Sequence, residues 1–203
     1  MSILLPLFPL DLVLFPGSPL PLHIFEPRYR EMISECLERN KPFGVVRAKE
    51  EGIAEIGCTA EIISVAKKYA DGRMDIITQG RERFEVVQVN QERAFLQAEV
   101  IYLPDEAGRA TSEEEAQAVT LHAEIVRLAG SRPVDSAHVR EQQLSFHLAG
   151  SLPLDLDLKQ TLLETISEAE RVRAVIGFLE AILPNLRRTV HVRQKAGGNG
   201  HAS

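Results

Sequence analysis

Five prolines fall within the first apolar stretch of this 203-residue chain: Pro6, Pro9, Pro16, Pro19 and Pro21, between Ile3 and Phe25. Proline fixes φ and has no backbone N–H, so a helix cannot run through that density. The stretch therefore reads as short strands and turns. It is not read as a signal sequence or a membrane helix, because no Lys or Arg precedes it and Asp11 lies inside it. No other segment reaches the ~18 consecutive apolar residues that a membrane span needs.

The strand pattern continues to about residue 105. Residues 4–7 and 12–15 are apolar runs punctuated by proline, which in a sheet belongs at edges, strand starts or bulges. Residues 43–48 predict a short strand. Residues 56–66 predict a longer one, with Ile56, Cys58, Ala60 and Ile62 on one face. Asp71-Gly72 is a tight-turn signal that joins this strand to residues 74–79 as a hairpin. Gly80 precedes a further strand over 83–89, and 95–103 closes the set. One helix interrupts them. It starts at Glu26-Pro27, carries Tyr29, Met32, Ile33, Cys36 and Leu37 as one apolar stripe, and ends at Asn40 and Pro42. Many turns, one early helix and no βαβ alternation predict a small, mainly antiparallel β-barrel with one inserted helix.

After a linker over 104–111 the period becomes helical. Ser112-x-x-Glu115 reads as a capping box for a helix ending at Gly130. Asp135 or Ser136 starts the next helix and Gly150 ends it. Asp157-x-x-Gln160 caps a short third one, and Ser167-x-x-Glu170 the last. That last helix carries Val172, Val175, Ile176, Leu179, Ile182 and Leu183 as a stripe, and Pro184 kinks it or starts a second segment. Short connections predict an antiparallel α-helical bundle. The fold class is α+β, with a barrel over 1–105, a bundle over 110–194 and a disordered tail over 195–203.

Several motifs then agree in order with a known family. They are LPLF over 5–8, PLDLVLFPG over 9–17, PLHIFEPRYREMI over 21–33, GCTAEII over 57–63, the Asp71-Gly72-Arg73 turn, GRERF over 80–84, and LPLDLDLKQTLLE over 152–164. Together they resemble the N-terminal, substrate-binding domain of Lon proteases over roughly residues 4–190. Nothing in the chain resembles the ATPase or peptidase parts, so a stand-alone version of that domain is expected. The resemblance implies a PUA-like β-barrel followed by helices. It also implies recognition of unfolded or degradation-tagged polypeptides, as an adaptor in protein quality control, with an ATP-dependent protease as a candidate partner. It supplies no catalytic residue.

The residues themselves offer little catalytic chemistry. A phosphate-cradling loop ends in Gly-Lys-Ser/Thr, and the dipeptide Gly-Lys does not occur. Gly-x-Ser-x-Gly is absent as well. Ser64-x-x-Lys67 matches a serine–lysine pattern, but residues three apart on a strand face opposite sides. The six histidines form no compact metal pattern. Asp155-Leu-Asp157 opens like a calcium loop but has Gln160 where the glycine belongs, so helix capping explains it better. No cofactor and no metal are expected. Cys36 and Cys58 are spaced for neither a disulfide framework nor zinc, which fits a reducing, cytoplasmic location.

A net charge of −6 disfavours a broad nucleic-acid surface. The basic clusters are Lys67-Lys68 and Arg187-Arg188 with Arg193 and Lys195. An RNA- or nucleotide-binding PUA-like protein is the rival reading. Arg81, Glu82 and Arg83 read as a solvated strand edge, or with Arg83 bracing neighbouring loops. The leading expectation is a non-enzymatic polypeptide-binding module without a membrane partner. It would capture extended apolar segments by strand addition at an edge over residues 4–15, or in an apolar groove. The groove candidates are Phe15, Leu20, Leu22, His23, Phe25 and Tyr29.

Overall fold

The computed structural model describes residues 3–130 and 143–198, with side chains as far as 192. The chain divides into two compact units, Met1–Glu106 with Pro153–Ile166, and Ala107–Leu152 with Ser167–Ser203.

The first unit is built on six strands, β1 (Ile3–Leu10), β2 (Pro19–Ile24), β3 (Phe43–Arg47), β4 (Ile56–Lys68), β5 (Met74–Asn90) and β6 (Gln97–Tyr102). Their order is β2-β5-β4-β3-β1-β6, and β6 also pairs with β5. Five strands therefore close into a ring, and β2 lies outside it, alongside β5. The β1–β3 pair is parallel and the others are antiparallel. Helix α1 (Pro27–Arg39) sits between β2 and β3, with Pro27 at its first position and Asn40 closing it in the left-handed region (φ 49°). Its buried face is Tyr29, Met32, Ile33 and Cys36. The Tyr29 ring stacks on Phe8 of β1 at 4.0 Å.

Inside the ring, Leu5, Leu7, Val46, Phe84, Ala98 and Val100 form a core cluster. The tip of the Phe84 ring occupies the space where a Cβ on Gly44 or Gly57 would go, 2.7 and 2.6 Å away. Both glycines are there because the ring is.

Two sequence expectations for this unit change. Residues 74–79 and 83–89 are not separate strands but one 17-residue strand that runs straight through Gly80. Gly80 donates from its N–H to Ser18 O and accepts from Gly17 N, both at 2.9 Å. A Cβ there would lie 2.2 Å from Phe15 O. The glycine thus admits a crossing loop without breaking the strand. Residues 12–15 belong to that loop and are not a strand. Leu14 and Phe15 are buried there, so an apolar loop fills core space that the sequence pattern assigns to a strand.

Helix α4 (Leu156–Glu164) belongs to this unit and packs on β4. Gln160 donates to Ile56 O at 3.1 Å, and Arg47 pairs with Asp157 at 2.6 Å. Its N-cap is Asp155, which accepts from Leu158 N at 2.8 Å. Asp157, expected as the cap, sits two residues further in, at the second helical position. Arg83 is buried and donates to Leu163 O at 2.8 Å and Thr165 O at 2.9 Å, and it pairs with Asp105. It braces loops, as one reading of the sequence expects.

The second unit holds α2 (Ser112–Leu128), α3 (Leu144–Gly150) and α5 (Glu168–Gly198), which pack together. The capping box of α2 is Thr111 with Glu114, one residue earlier than the Ser112/Glu115 pair. Threonine accepts the same N–H as serine would, and here the chain reaches its helical conformation one residue sooner. The start expected for α3 at Asp135 or Ser136 lies outside the described residues, as does the tail beyond 198. Helix α5 continues through Pro184. Arg173–Glu114 (2.7 Å) and Arg187–Glu124 (2.8 Å) tie α5 to α2 at the surface.

His122 of α2 is buried, and its Nε2–H donates to Ser151 Oγ at 2.6 Å. Burial, with the neighbouring His147, holds its pKa below the ordinary histidine value. A native state that resists protonation loses stability once the unfolded chain takes up the proton. Stability is therefore full above about pH 6.5 and falls below it, by at most about 1.4 kcal/mol per pH unit for one group. Urea titrations between pH 7.5 and pH 5 check this sign. His122→Gln should flatten the slope, and an unchanged slope would remove His122 as its cause.

Candidate functional site

An exposed apolar surface lies on the flap formed by β2, the first half of β5 and the second half of β4. Leu20, Leu22 and Ile24 stand opposite Thr78, Ile76 and Met74. Thr78 Oγ1 donates to Leu20 O at 2.7 Å. Gly80 N–H reaches Ser18 O, so the even-numbered residues of β2 turn their backbone groups toward β5. Pro19 and Pro21 occupy the intervening positions, whose backbone faces the free edge, where a missing N–H costs no ladder bond. His23, Pro21 and Pro19 oppose Asp75, Ile77 and Gln79 on the outer face.

A polar anchor holds this face. His23 Nδ1 lies 2.5 Å from Asp75 Oδ1, and Tyr69 Oη donates to Asp75 Oδ2 at 2.8 Å. These two bonds, His23 first, hold the Asp75 carboxyl below the usual carboxylate range. The imidazole stacks beside Phe25 at 5.9 Å and meets Tyr69 edge-on at 5.8 Å. Lys67 Nζ sits 4.5 Å from the Tyr69 ring and Arg73 Cζ 5.1 Å from it. Phe25 is 58% exposed, Ile63 51% and Ile77 37%. The result is an apolar surface with fixed aromatic rings and cations at its rim.

The six groove candidates separate. Phe15 and Tyr29 are in the core, and Leu20 and Leu22 are half-buried. His23 and Phe25 share the exposed flap with Tyr69, Asp75 and Ile77, which sequence reasoning missed. Residues 4–15 do not provide an edge, because β1 pairs with β6 over Ile3–Pro6 and with β3 over Leu7–Leu10.

The two free edges of the flap are blunted. Prolines stud β2. Beyond Ala60, β4 pairs only with β5, carries register shifts at Ile62/Ser64 and Val65/Lys67, and ends in Lys67-Lys68. Proline, bulges and lysine are the usual barriers to edge pairing. The flap therefore offers a face, not an edge.

Other candidate chemistry resolves into structure. The register shift at Val65/Lys67 sets Ser64 opposite Ile77 and Lys67 opposite Asp75, so the two share a face that plain alternation would deny them, and Lys67 Nζ lies over the Tyr69 ring. Ser151 donates to Leu148 O at 2.9 Å and so accepts from His122, the wrong polarity for a base activating a hydroxyl. Cys36 and Cys58 are free and buried, their thiol pKa values pushed up by burial to about 11 and about 12, as in inert core thiols. Arg81 pairs with Glu61 and Arg187 with Glu124. No group of three or more metal-ligating side chains occurs among the described residues. No described helix is long and apolar enough to cross a membrane.

A closed ring of mixed strands with one inserted helix, followed by helices that pack together, defines a small α+β class. The family model for the substrate-binding domain of the ATP-dependent protease La (LON) matches residues 4–181, and the chain belongs to that family. It is 33% identical over 202 residues to Lon protease 2 of Syntrophobacter fumaroxidans, covering 91% of this chain and 25% of that protein. It is 29% identical over 192 residues to Lon protease 2 of Myxococcus xanthus, covering 86% and 23%. The chain thus spans about a quarter of the length of these relatives. The crystal structure of a Lon N-terminal domain protein from Xanthomonas campestris superposes with a TM-score of 0.70 at 26% identity, covering 86% of this chain and 98% of that one. The N-terminal domain of Mycobacterium avium complex Lon protease shares the fold at 20% identity, with a TM-score of 0.65.

Proposed function

We propose that this chain binds extended apolar segments of unfolded or degradation-tagged polypeptides on the outer face of the β2-β5-β4 flap. In this reading it serves as an adaptor that presents clients to an ATP-dependent protease. The observation that carries the reading is the exposure of Phe25, Ile63 and Ile77 on one sheet face whose two edges are blunted. A client laid on this face gains apolar burial from Phe25 and Ile77. The His23–Asp75–Tyr69 anchor keeps the surface preorganised, which lowers the entropic cost of binding. The mapping to the Lon family supports polypeptide as the ligand class. Two buried free thiols fit a reducing compartment such as the cytoplasm.

The test is fluorescence anisotropy with a labelled, permanently unfolded polypeptide, with labelled single-stranded RNA in parallel. Saturable polypeptide binding that survives moderate salt is expected. Phe25→Ser and Ile77→Ser should each weaken it about tenfold, the size of an interface anchor. Salt-sensitive RNA binding without polypeptide binding would move the function to the rival class.

A further inference from the structure

The barrel carries a second exposed apolar surface, on the far half of β5 with β6 and β1. Leu4 is 55% exposed, Val87 54% and Ile101 48%. Register places them together, with Leu4 and Gln88 both opposite Glu99, and Glu85 opposite Ile101. A cavity of about 380 Å³ opens there, lined by Leu4, Val89, Glu92 and Glu99 among others. Glu85, Glu92 and Glu99 are exposed and pair with no cation among the described residues, while the nearby Arg93 is occupied by Glu31 and Glu35. This surface is apolar with an acidic rim.

The flap is the complement. It is apolar and its rim holds the exposed Lys67 and Lys68, while Arg73 is paired with Asp71, and Phe25 projects as its exposed aromatic ring. Both surfaces lie on one strand, since Ile77 and Val89 are both in β5. Twelve residues of extended chain separate them by roughly 40 Å, so one barrel cannot close on itself. The geometry points to a head-to-tail contact between copies of this chain. The flap of one copy seats on the acidic face of the next, with Phe25 entering the cavity beside Leu4 and Val89 and the lysines facing Glu85 and Glu99. Such a contact is heterologous, so it builds rings or open chains instead of a symmetric dimer. It uses the flap proposed above for clients but does not depend on client binding. Where both occur, copies and clients compete for Phe25.

Sedimentation velocity of the full chain over a concentration series tests this. The wild type should form dimers and longer species that rise with concentration and recede in high salt. Phe25→Ser removes the donor face and Glu99→Lys the acceptor face. Each alone should lower association about tenfold or more. Mixing the two variants should restore dimers and nothing longer, because one intact donor and one intact acceptor remain. Both residues are exposed, and unchanged melting curves verify the fold. A wild type that stays monomeric, a mixture that does not dimerise, or a dimer unaffected by either variant would overturn the inference. Client binding is measured separately on monomeric protein. Loss of client binding with association intact sinks only the proposed function, and the reverse sinks only this contact.

Discussion

Arg171→Met should destabilise the helical unit by about 3–5 kcal/mol, the usual cost of removing one partner from a buried ion pair. Arg171 is 0% exposed and Glu168 1%. The guanidinium donates to Glu168 Oε2 from Nε at 3.0 Å and from the terminal nitrogen at 2.7 Å. Ser145 joins them, donating to Glu168 from its backbone N–H (2.9 Å) and its hydroxyl (2.6 Å) and accepting from Arg171 Nε (3.0 Å). The guanidinium also lies 4.3 Å from the Phe146 ring centroid. Methionine keeps much of the volume but leaves the Glu168 carboxylate buried without its countercharge. The double variant Arg171→Met/Glu168→Leu should be more stable than Arg171→Met alone, since an apolar pair removes the orphaned charge. Urea unfolding followed by circular dichroism measures both. A single variant within about 1 kcal/mol of wild type would mean that the pair contributes no more than a surface one.

Phe84→Ala should cost about 3–5 kcal/mol in the barrel. The ring is fully buried in the core cluster of the barrel, and Gly44 and Gly57 have no side chains to collapse into the space it leaves. The same geometry predicts coupling. Gly44→Ala alone places a Cβ against the Phe84 ring and the Leu5 and Leu7 side chains, all within 2.8 Å. Combined with Phe84→Leu, the clash with the ring is relieved, so the double variant should be less destabilised than the sum. Gly57→Ala should not be rescued to the same degree, because its Cβ also meets Val45 O at 2.6 Å, and backbone cannot move aside. Additive effects at position 44 would show that the ring does not set the need for glycine there.

What could be read from sequence follows the range of the interactions involved. The inserted helix was legible because its proline start, apolar stripe and Asn40 stop are local. The Asp71-Gly72 hairpin was legible for the same reason, with Gly72 at φ 86°. Gly80 was misread as a break because the reason for the glycine, Phe15 O, lies 65 positions away in sequence and touches only in the fold. Residues 12–15 look like a strand because burial, not pairing, makes them apolar. On the flap, His23 and Phe25 stood out within one run. Tyr69, Asp75 and Ile77 did not, since only the β2–β5 register brings them alongside. Tyr29 was drawn in by the same run, although helical phase turns it inward, and Phe15 by the preceding run, although a buried loop holds it in the core.

The path of the chain through the barrel unit sets an order of events. Arg83 draws on two distant segments: the one after β6 supplies Asp105, and Leu163 and Thr165 arrive only after some sixty intervening residues. During synthesis the strands are complete by Tyr102, yet a buried guanidinium then lacks two carbonyl acceptors until α4 emerges. The ring is consequently an unfinished object while the intervening helix α2 is being made, and its last stabilising contacts carry the entropic cost of closing a long loop. A barrel cut at residue 106 would therefore leave the Arg83 guanidinium without the Leu163 and Thr165 carbonyls that receive it in the full chain.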